Sequence, residues 1–203
     1  MITRVLAVDP AAPAAVALAD AAAALRAGGL VAFPTETYYG LAAAALDPSA
    51  VRRIFDVKGR PESRPVLVLV DGQDMVETVT MGASPAVRAL MARHWPGPLT
   101  LVLRARPSVP LEVTAGTGTV GVRLSSHPVA RGLVHALGAP VTAPSANPTD
   151  RQPATTAAEV LAYFDGAIEL VLDGGATPGG LPSTVLDATV DPPVTLRAGP
   201  VRV

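Results

Sequence analysis

The sequence predicts an α/β fold in one domain, and three observations carry that expectation. Apolar strand-length runs alternate with helix-length segments along the chain. The 203 residues are 49% hydrophobic and only 16% charged, which suffices for a substantial core and leaves no reason for disorder. Proline and glycine, 21 and 18 residues, are spread as punctuation, and no linker, like-charge run or solenoid repeat divides the chain, so residues 1–203 read as a single domain.

Taken in order, the first helix runs roughly from Ala14 to Ala27 and stops at Gly28 and Gly29. A short apolar strand, Leu30 to Phe33, meets Pro34 and the polar run TETYYG. Asp47 followed by Pro48 starts a helix with Val51, Ile54 and Phe55 on one face, finishing near Lys58 and Gly59. The run VLVLV at 66–70 predicts a buried strand. Ser84 and Pro85 open a helix that continues through His94 and Trp95 until Pro96 stops it. Leu99 to Leu103 and Thr119 to Leu124 read as strands. His127 and Pro128 begin a helix ending at Gly138, and Val141 and Thr142 form a short strand running into PSAN. Thr156 with Glu159 three residues on makes a capping box for a helix to about Phe164. Ile168 to Leu172, Thr184 to Leu186 and Val194 to Leu196 complete the strands. The closely spaced β segments near 99–124 and after 183 predict a mixed sheet.

Composition excludes several functions. A formal net charge of −1 gives no global attraction to phosphates, although it leaves room for a local basic cleft. The absence of cysteine removes disulfides, a thiol nucleophile and thiolate metal sites. Aromatic residues at 3% disfavour base-stacking platforms. The alanine-rich stretches are interrupted by Asp20 and Arg26 and fall short of a membrane span, and no basic start with an apolar core follows Met1, so the expectation is a cytoplasmic protein without membrane partners. No P-loop, GxGxxG, HExxH or GxSxG motif is present. His94, His127 and His135 have no metal-like spacing; His127 reads as a cap residue and His135 as a structural residue on an apolar helix face. No metal ligand set is predicted. Of 16 basic residues, 15 are arginine and one, Lys58, is lysine, which points to a need for a compact ammonium there.

Four polar segments break the pattern of buried elements: PTETYYGL at 34–41, KGRP at 58–61, PSANPT at 144–149 and GGATPGGLPST at 174–184. Each delivers hydroxyls, cations or free amides into a turn, which is how α/β proteins bind phosphate and carboxylate groups. Singly, each has a plainer reading. The first is equally a capped helix start, the second a helix C-terminus, the third an ordinary turn and the fourth a mobile surface loop. Together, with Arg123 ending a strand and Arg197 near the C-terminus, they make a more demanding pattern.

That pattern resembles a known family. PTETYYGL, KGRP, HWPGPLTLVL (94–103), TVGVRLSSHP (119–128), APSANPT (143–149), STVLD (183–187) and LRAGP (196–200) stand in the order and approximate spacing of the YrdC-type threonylcarbamoyl-AMP synthases. The likeness extends from about Gly28 to Pro200 and is similar to the short, single-domain form. It implies a twisted open mixed sheet with flanking helices around a large, concave, positively lined cavity. It also implies synthesis of L-threonylcarbamoyl-adenylate from L-threonine, bicarbonate and ATP, with release of pyrophosphate. The product then passes to a transferase complex that modifies the adenosine beside the anticodon of tRNA.

Matched to the family, Lys58 and Arg60 become phosphate-binding, catalytic cations, and Thr119, Ser145, Asn147 and Arg197 complete the ATP site. Arg123 matches the threonine carboxylate fork, with Thr35 and Ser183 as hydroxyls around that substrate. Magnesium is expected with the nucleotide, held by phosphate oxygens and water. One departure stands out: many relatives have Asn-Pro-Leu after KGRP and a His beyond, where this chain reads SRPVLVLV, so Arg64 becomes a candidate extra cation. An alternative reading is an RNA-binding module of the same fold without adenylation activity, with tRNA contact through the basic concavity. A third, a carbamoyl-transfer module from longer cysteine-rich proteins, is disfavoured by the lack of cysteine.

Overall fold

A computed structural model describes residues 2–203. These residues form ten strands and seven helices, interspersed along the chain. The strands are β1 (Arg4–Ala7), β2 (Val31–Phe33), β3 (Gly40–Ala42), β4 (Val68–Leu69), β5 (Leu99–Arg104), β6 (Thr119–Arg123), β7 (Val141–Thr142), β8 (Leu170–Asp173), β9 (Thr184–Asp187) and β10 (Val194–Arg197). The helices are α1 (Ala15–Arg26), α2 (Pro48–Lys58), α3 (Gln73–Val79), α4 (Pro85–His94), α5 (Leu111–Thr114), α6 (Pro128–Leu137) and α7 (Ala157–Phe164).

The single mixed sheet anticipated from sequence is instead two mixed sheets. One has four strands in the order β1-β8-β2-β3, the other six in the order β10-β9-β5-β6-β4-β7. They are stitched along β3: Leu41 N donates to Pro144 O, Thr142 N to Ala43 O and Ala146 N to Tyr39 O, at 2.9, 3.0 and 2.7 Å. Parallel and antiparallel pairings coexist in both, because hairpins such as β5–β6 sit beside crossovers such as β5–β9.

Helix caps explain the boundaries. Asp47 accepts from Ser49 N and Ala50 N at 2.9 and 3.2 Å, and Pro48 occupies the first turn of α2. Gly59 ends that helix at φ +56, a conformation that favours glycine. His127 caps α6 by accepting from Val129 N, and the Thr156–Glu159 capping box opens α7. Four short elements were not anticipated: β1, β3, α3 and α5. They offer weak local signals; α3 starts from Gly72 with no side-chain cap, and β3 has only three residues directly after a polar run.

Two kinds of covering follow from the side-chain pattern. In α1, Leu18, Ala21, Ala22 and Leu25 recur at helical spacing and bury against α6 and one face of the four-stranded sheet. Ile54 of α2 and Val160 and Phe164 of α7 cover its other face. The six-stranded sheet is covered on both faces at its β4–β7 end, where Leu69 and Val141 pack with α1 and α6, and on one face elsewhere. Leu99, Leu101 and Leu103 of β5 and Val120 and Val122 of β6 alternate into a core shared with Val76 and Val79 of α3 and Val87 and Met91 of α4. Over β5, β6 and β9 the opposite face carries the intervening residues, which line a cavity. Among the described residues no helix is long and apolar enough to cross a membrane.

Candidate functional site

That face of β5, β6 and β9 is the floor of a cavity of about 670 Å³, a size typical of small-molecule sites. Strand alternation supplies the floor: Thr100 and Val102 from β5, Thr119, Gly121 and Arg123 from β6, and Ser183, Val185 and Asp187 on and just before β9. The walls come from Thr35, Thr37 and Tyr38 between β2 and β3, from Arg60 beyond α2, from Ser145 after β7 and from Arg197 at the end of β10. Thr35, Arg60, Thr119, Arg123, Ser145, Ser183 and Arg197, all singled out from sequence, therefore face one cavity.

Lys58 and Asn147 are brought to the same region but stand behind the wall. The ammonium of Lys58, only 3% exposed, donates to the carbonyl of Ser145 at 2.5 Å and to that of Asn147. Asn147 Nδ2 donates to the carbonyls of Pro148 and Arg151, each at 2.8 Å, while its Oδ1 is buried without a partner. Neither side chain is among the residues lining the cavity. The reason is local: α2 ends at Gly59, so Lys58 remains on the buried helix face and Arg60 is the residue turned onto the cavity wall. Burial, reinforced by the charge of Arg60, pushes the Lys58 ammonium down to about 7.

Arg123 is the most deeply set cation of the cavity, its side chain 5% exposed. Its Nη2 lies 2.7 Å from Oε1 of Glu36, and its Nε is buried with no partner. Glu36 also accepts from Ser125 Oγ and, at 3.3 Å, from Ser126 N. Burial pushes the Glu36 carboxyl up, but Arg123 and the Ser125 hydroxyl outweigh it and hold the group below its ordinary value. This pair spans the two sheets, since Glu36 follows β2 and Arg123 ends β6.

Arg197 donates through Nε and Nη2 to Ser183 O at 3.1 and 2.8 Å, and through Nη2 to Ser183 Oγ at 3.0 Å. Ser183 Oγ lies 2.9 Å from Thr100 Oγ1, completing a line of donors across three strands. Gly199 makes this possible: a Cβ there would stand 2.4 Å from both Pro182 O and Thr184 N, so only glycine lets the chain after Arg197 lie against Ser183. Arg60 and Arg197 are both lowered, first by burial and then by the neighbouring cations Arg64 and Arg123 respectively. Crowded cations with lowered affinity for protons make an anion-seeking cavity.

The glycine-rich segment is tied down at several points. Thr177 N donates to Thr155 O and Gly179 N to Thr37 O, each at 2.8 Å; Tyr39 OH donates to Gly175 O at 2.7 Å and Tyr38 OH to Gly180 O. Arg64 is exposed and does not line the cavity; its carbonyl receives Arg60 Nε at 3.4 Å. His135 is corrected as well: its side chain is 85% exposed and reaches Asp71 Oδ2 at 3.2 Å, on the solvent side of α6. Sequence reasoning missed Glu36, Thr37, Tyr38, Thr100 and Asp187. The signal for Thr100 and Asp187 was present in strand alternation, since each lies an even number of residues from a floor residue.

A partly covered sheet walled by arginines and hydroxyls defines an α/β protein with a cationic cavity of small-molecule size. The chain belongs to the Sua5/YciO/YrdC family, whose model, described as telomere recombination, matches residues 23–199. It is 45% identical to the threonylcarbamoyl-AMP synthase of Pyrococcus abyssi over 88% of this chain and 53% of that protein. It is 39% identical to that of Thiobacillus denitrificans over 80% of this chain and 86% of that protein. Among solved structures, P. abyssi Sua5 complexed with L-threonine superposes with a TM-score of 0.94 at 42% identity, covering 97% of this chain and 58% of that one. The chain thus spans about half the length of some of the curated relatives it matches.

Proposed function

We propose that this chain forms L-threonylcarbamoyl-adenylate from L-threonine, bicarbonate and ATP, releasing pyrophosphate and water. The observation that carries the proposal is the buried Arg123 guanidinium, with an unpartnered Nε, on the floor of a cavity that also holds Arg60, Ser145, Ser183 and Arg197. An unpaired buried donor is costly, so Nε favours an acceptor that enters the cavity. The threonine carboxylate answers to Arg123, and Thr35 and Ser183 supply hydroxyls beside it. Arg60 and Arg197 neutralise the phosphates, Ser145 offers them a hydroxyl donor, Thr119 faces the nucleotide, and Lys58 holds the turn of Ser145 and Asn147 through their carbonyls.

The chemistry asks little of a protein nucleophile. The unprotonated threonine amine attacks the bicarbonate carbon, and water departs to leave a carbamate. A carbamate oxygen then attacks the α-phosphorus in line, and pyrophosphate leaves with the electron pair of the broken P–O bond. Positioning and charge neutralisation supply the rate, with cations aimed where negative charge accumulates. Among the described residues no group of three His, Cys, Asp or Glu side chains gathers for a metal. Magnesium therefore fits as the counter-ion of the nucleotide, held by its phosphate oxygens and water. The reading places the protein in the cytoplasm, passing its product to a transferase complex acting on tRNA.

The test is pyrophosphate release that requires both threonine and bicarbonate. Arg123→Lys replaces a fork with a point charge and is expected to raise KM for threonine about 10- to 100-fold while KM for ATP changes little. Turnover independent of threonine, or RNA affinity without turnover, overturns the proposal.

A further inference from the structure

Three cations line the cavity, Arg60, Arg123 and Arg197, and a single carboxylate, Asp187. An acid in an anion-binding cavity is out of place unless it faces a different part of the ligand. Its surroundings show that it does. Asp187 closes β9, level with Val102 of β5 and, through it, with Gly121 of β6. Ser183 lies four residues back along the same strand, about 13 Å away at the rise of an extended chain. The acid thus stands at the opposite end of the floor from Ser183, where Arg197 is anchored.

Its two oxygens are not equivalent. Oδ1 accepts from Thr189 N at 2.9 Å and Thr189 Oγ1 at 2.6 Å, which fixes the carboxylate plane; no described residue donates to Oδ2. A metal at this point finds no second carboxylate among the cavity residues. What suits a lone, oriented acceptor is a neutral hydrogen-bond donor.

We propose that Asp187 receives the ribose hydroxyls of the nucleotide and so determines both the direction in which ATP lies and the preference for a ribonucleotide. The inference rests on the adenylation reading above and deepens it. The distance agrees: about ten covalent bonds separate the threonine carboxylate carbon from the ribose 3′-oxygen in the product, roughly 12 Å when extended. The adenine amine, the other donor of the nucleotide, lies a ring system farther. There the floor opens at Thr117 and Thr119 into a second depression bounded by Met81, Pro107 and Thr189, on the far side of Asp187. The base has room in that direction, and the ribose falls at the acid.

The test compares wild type with Asp187→Ala and Asp187→Asn, using ATP, 2′-deoxy-ATP, 3′-deoxy-ATP and the triphosphate of purine riboside, which lacks the adenine amine. Pyrophosphate release and calorimetric nucleotide binding are both read. Wild type is expected to prefer ATP over at least one deoxy analogue by about 10- to 100-fold, the scale of a hydrogen bond to a charged acceptor. Asp187→Ala loses that factor with ATP, mainly in KM for ATP, leaves KM for threonine unchanged, and treats ATP and the deoxy analogue alike. Equal losses with ATP and both deoxy analogues mean a structural role and overturn the proposal, as does discrimination that survives in both variants. Collapse of discrimination only against the purine riboside triphosphate assigns Asp187 to the base instead, and also overturns it. If wild type lacks threonine-dependent turnover, the adenylation reading fails, and the calorimetric comparison still decides whether Asp187 recognises ribose.

Discussion

Removal of Glu36 tests how the two sheets are held across the cavity. Glu36→Ala leaves the Arg123 guanidinium, 5% exposed, without its counter-ion and strips Ser125 and Ser126 of their acceptor. Breaking a buried ion pair from one side costs about 3–5 kcal/mol; with the Glu36 side chain 15% exposed, the lower end applies, about 3 kcal/mol. For a protein of this size each kcal/mol lowers Tm by about 2–4 °C, so a drop of about 6–12 °C is expected at pH 7. Replacing both partners, as in Glu36→Met with Arg123→Met, removes the stranded charge and is expected to recover most of that loss. The pH dependence has a fixed sign. The native carboxyl ionises below the ordinary value of 4.5, so the ionised form stabilises the fold above that value. That stabilisation fades as pH falls through the native value, and wild type and Glu36→Ala converge in acid. Scanning calorimetry from pH 3 to 8 reads both effects. A Glu36→Ala protein melting within about 2 °C of wild type at pH 7 refutes the reasoning, as does a gap that widens in acid.

Three further outcomes are expected. Lys58 is held at about 7 when folded against an ordinary 10.5, so between those values the unfolded chain binds a proton that the native one does not. Stability of wild type therefore rises with pH by up to about 1.4 kcal/mol per unit in that window, and Lys58→Met abolishes the rise; equal slopes in urea unfolding from pH 7 to 9 contradict this. Gly199→Ala drives a methyl into Pro182 O and Thr184 N, costing about 1–3 kcal/mol and loosening Arg197 from Ser183, which a raised KM for ATP reports. An unchanged KM shows that Arg197 is positioned by something else. Tyr38→Phe removes the bond to Gly180 O, and amide exchange across 175–182 is expected to accelerate about fivefold, in line with a loss of about 1 kcal/mol. Unaltered exchange means that Thr37 and Thr155 suffice to hold the segment.

Particular residues show where sequence reasoning reached and where it stopped. Caps and breakers act within one turn, so Asp47, Gly59, His127 and the Thr156–Glu159 box were legible, and the helices they bound followed. The floor residues Thr119 and Arg123 were named through the resemblance carried by TVGVRLSSHP, and Arg123 also because it ends a strand. That Lys58 stands behind the cavity wall was not legible, because its motif specifies type and order but not the direction of a side chain at a helix end. Glu36 escaped notice because its partner, Arg123, is 87 positions away, and only the closure of one sheet on the other brings them to 2.7 Å.

By itself the amino-acid order determined the α/β class, the main helices, the family resemblance and the polar turns worth watching, since each is written in neighbours a few positions apart. Tertiary structure alone decided that there are two sheets, that one of them leaves the face around β5, β6 and β9 to a cavity, that Asp187 lines that cavity and that Glu36 pairs with its Arg123. Those outcomes depend on pairings between distant strands, whose register is set by burial of side chains across the whole domain rather than by any segment taken alone.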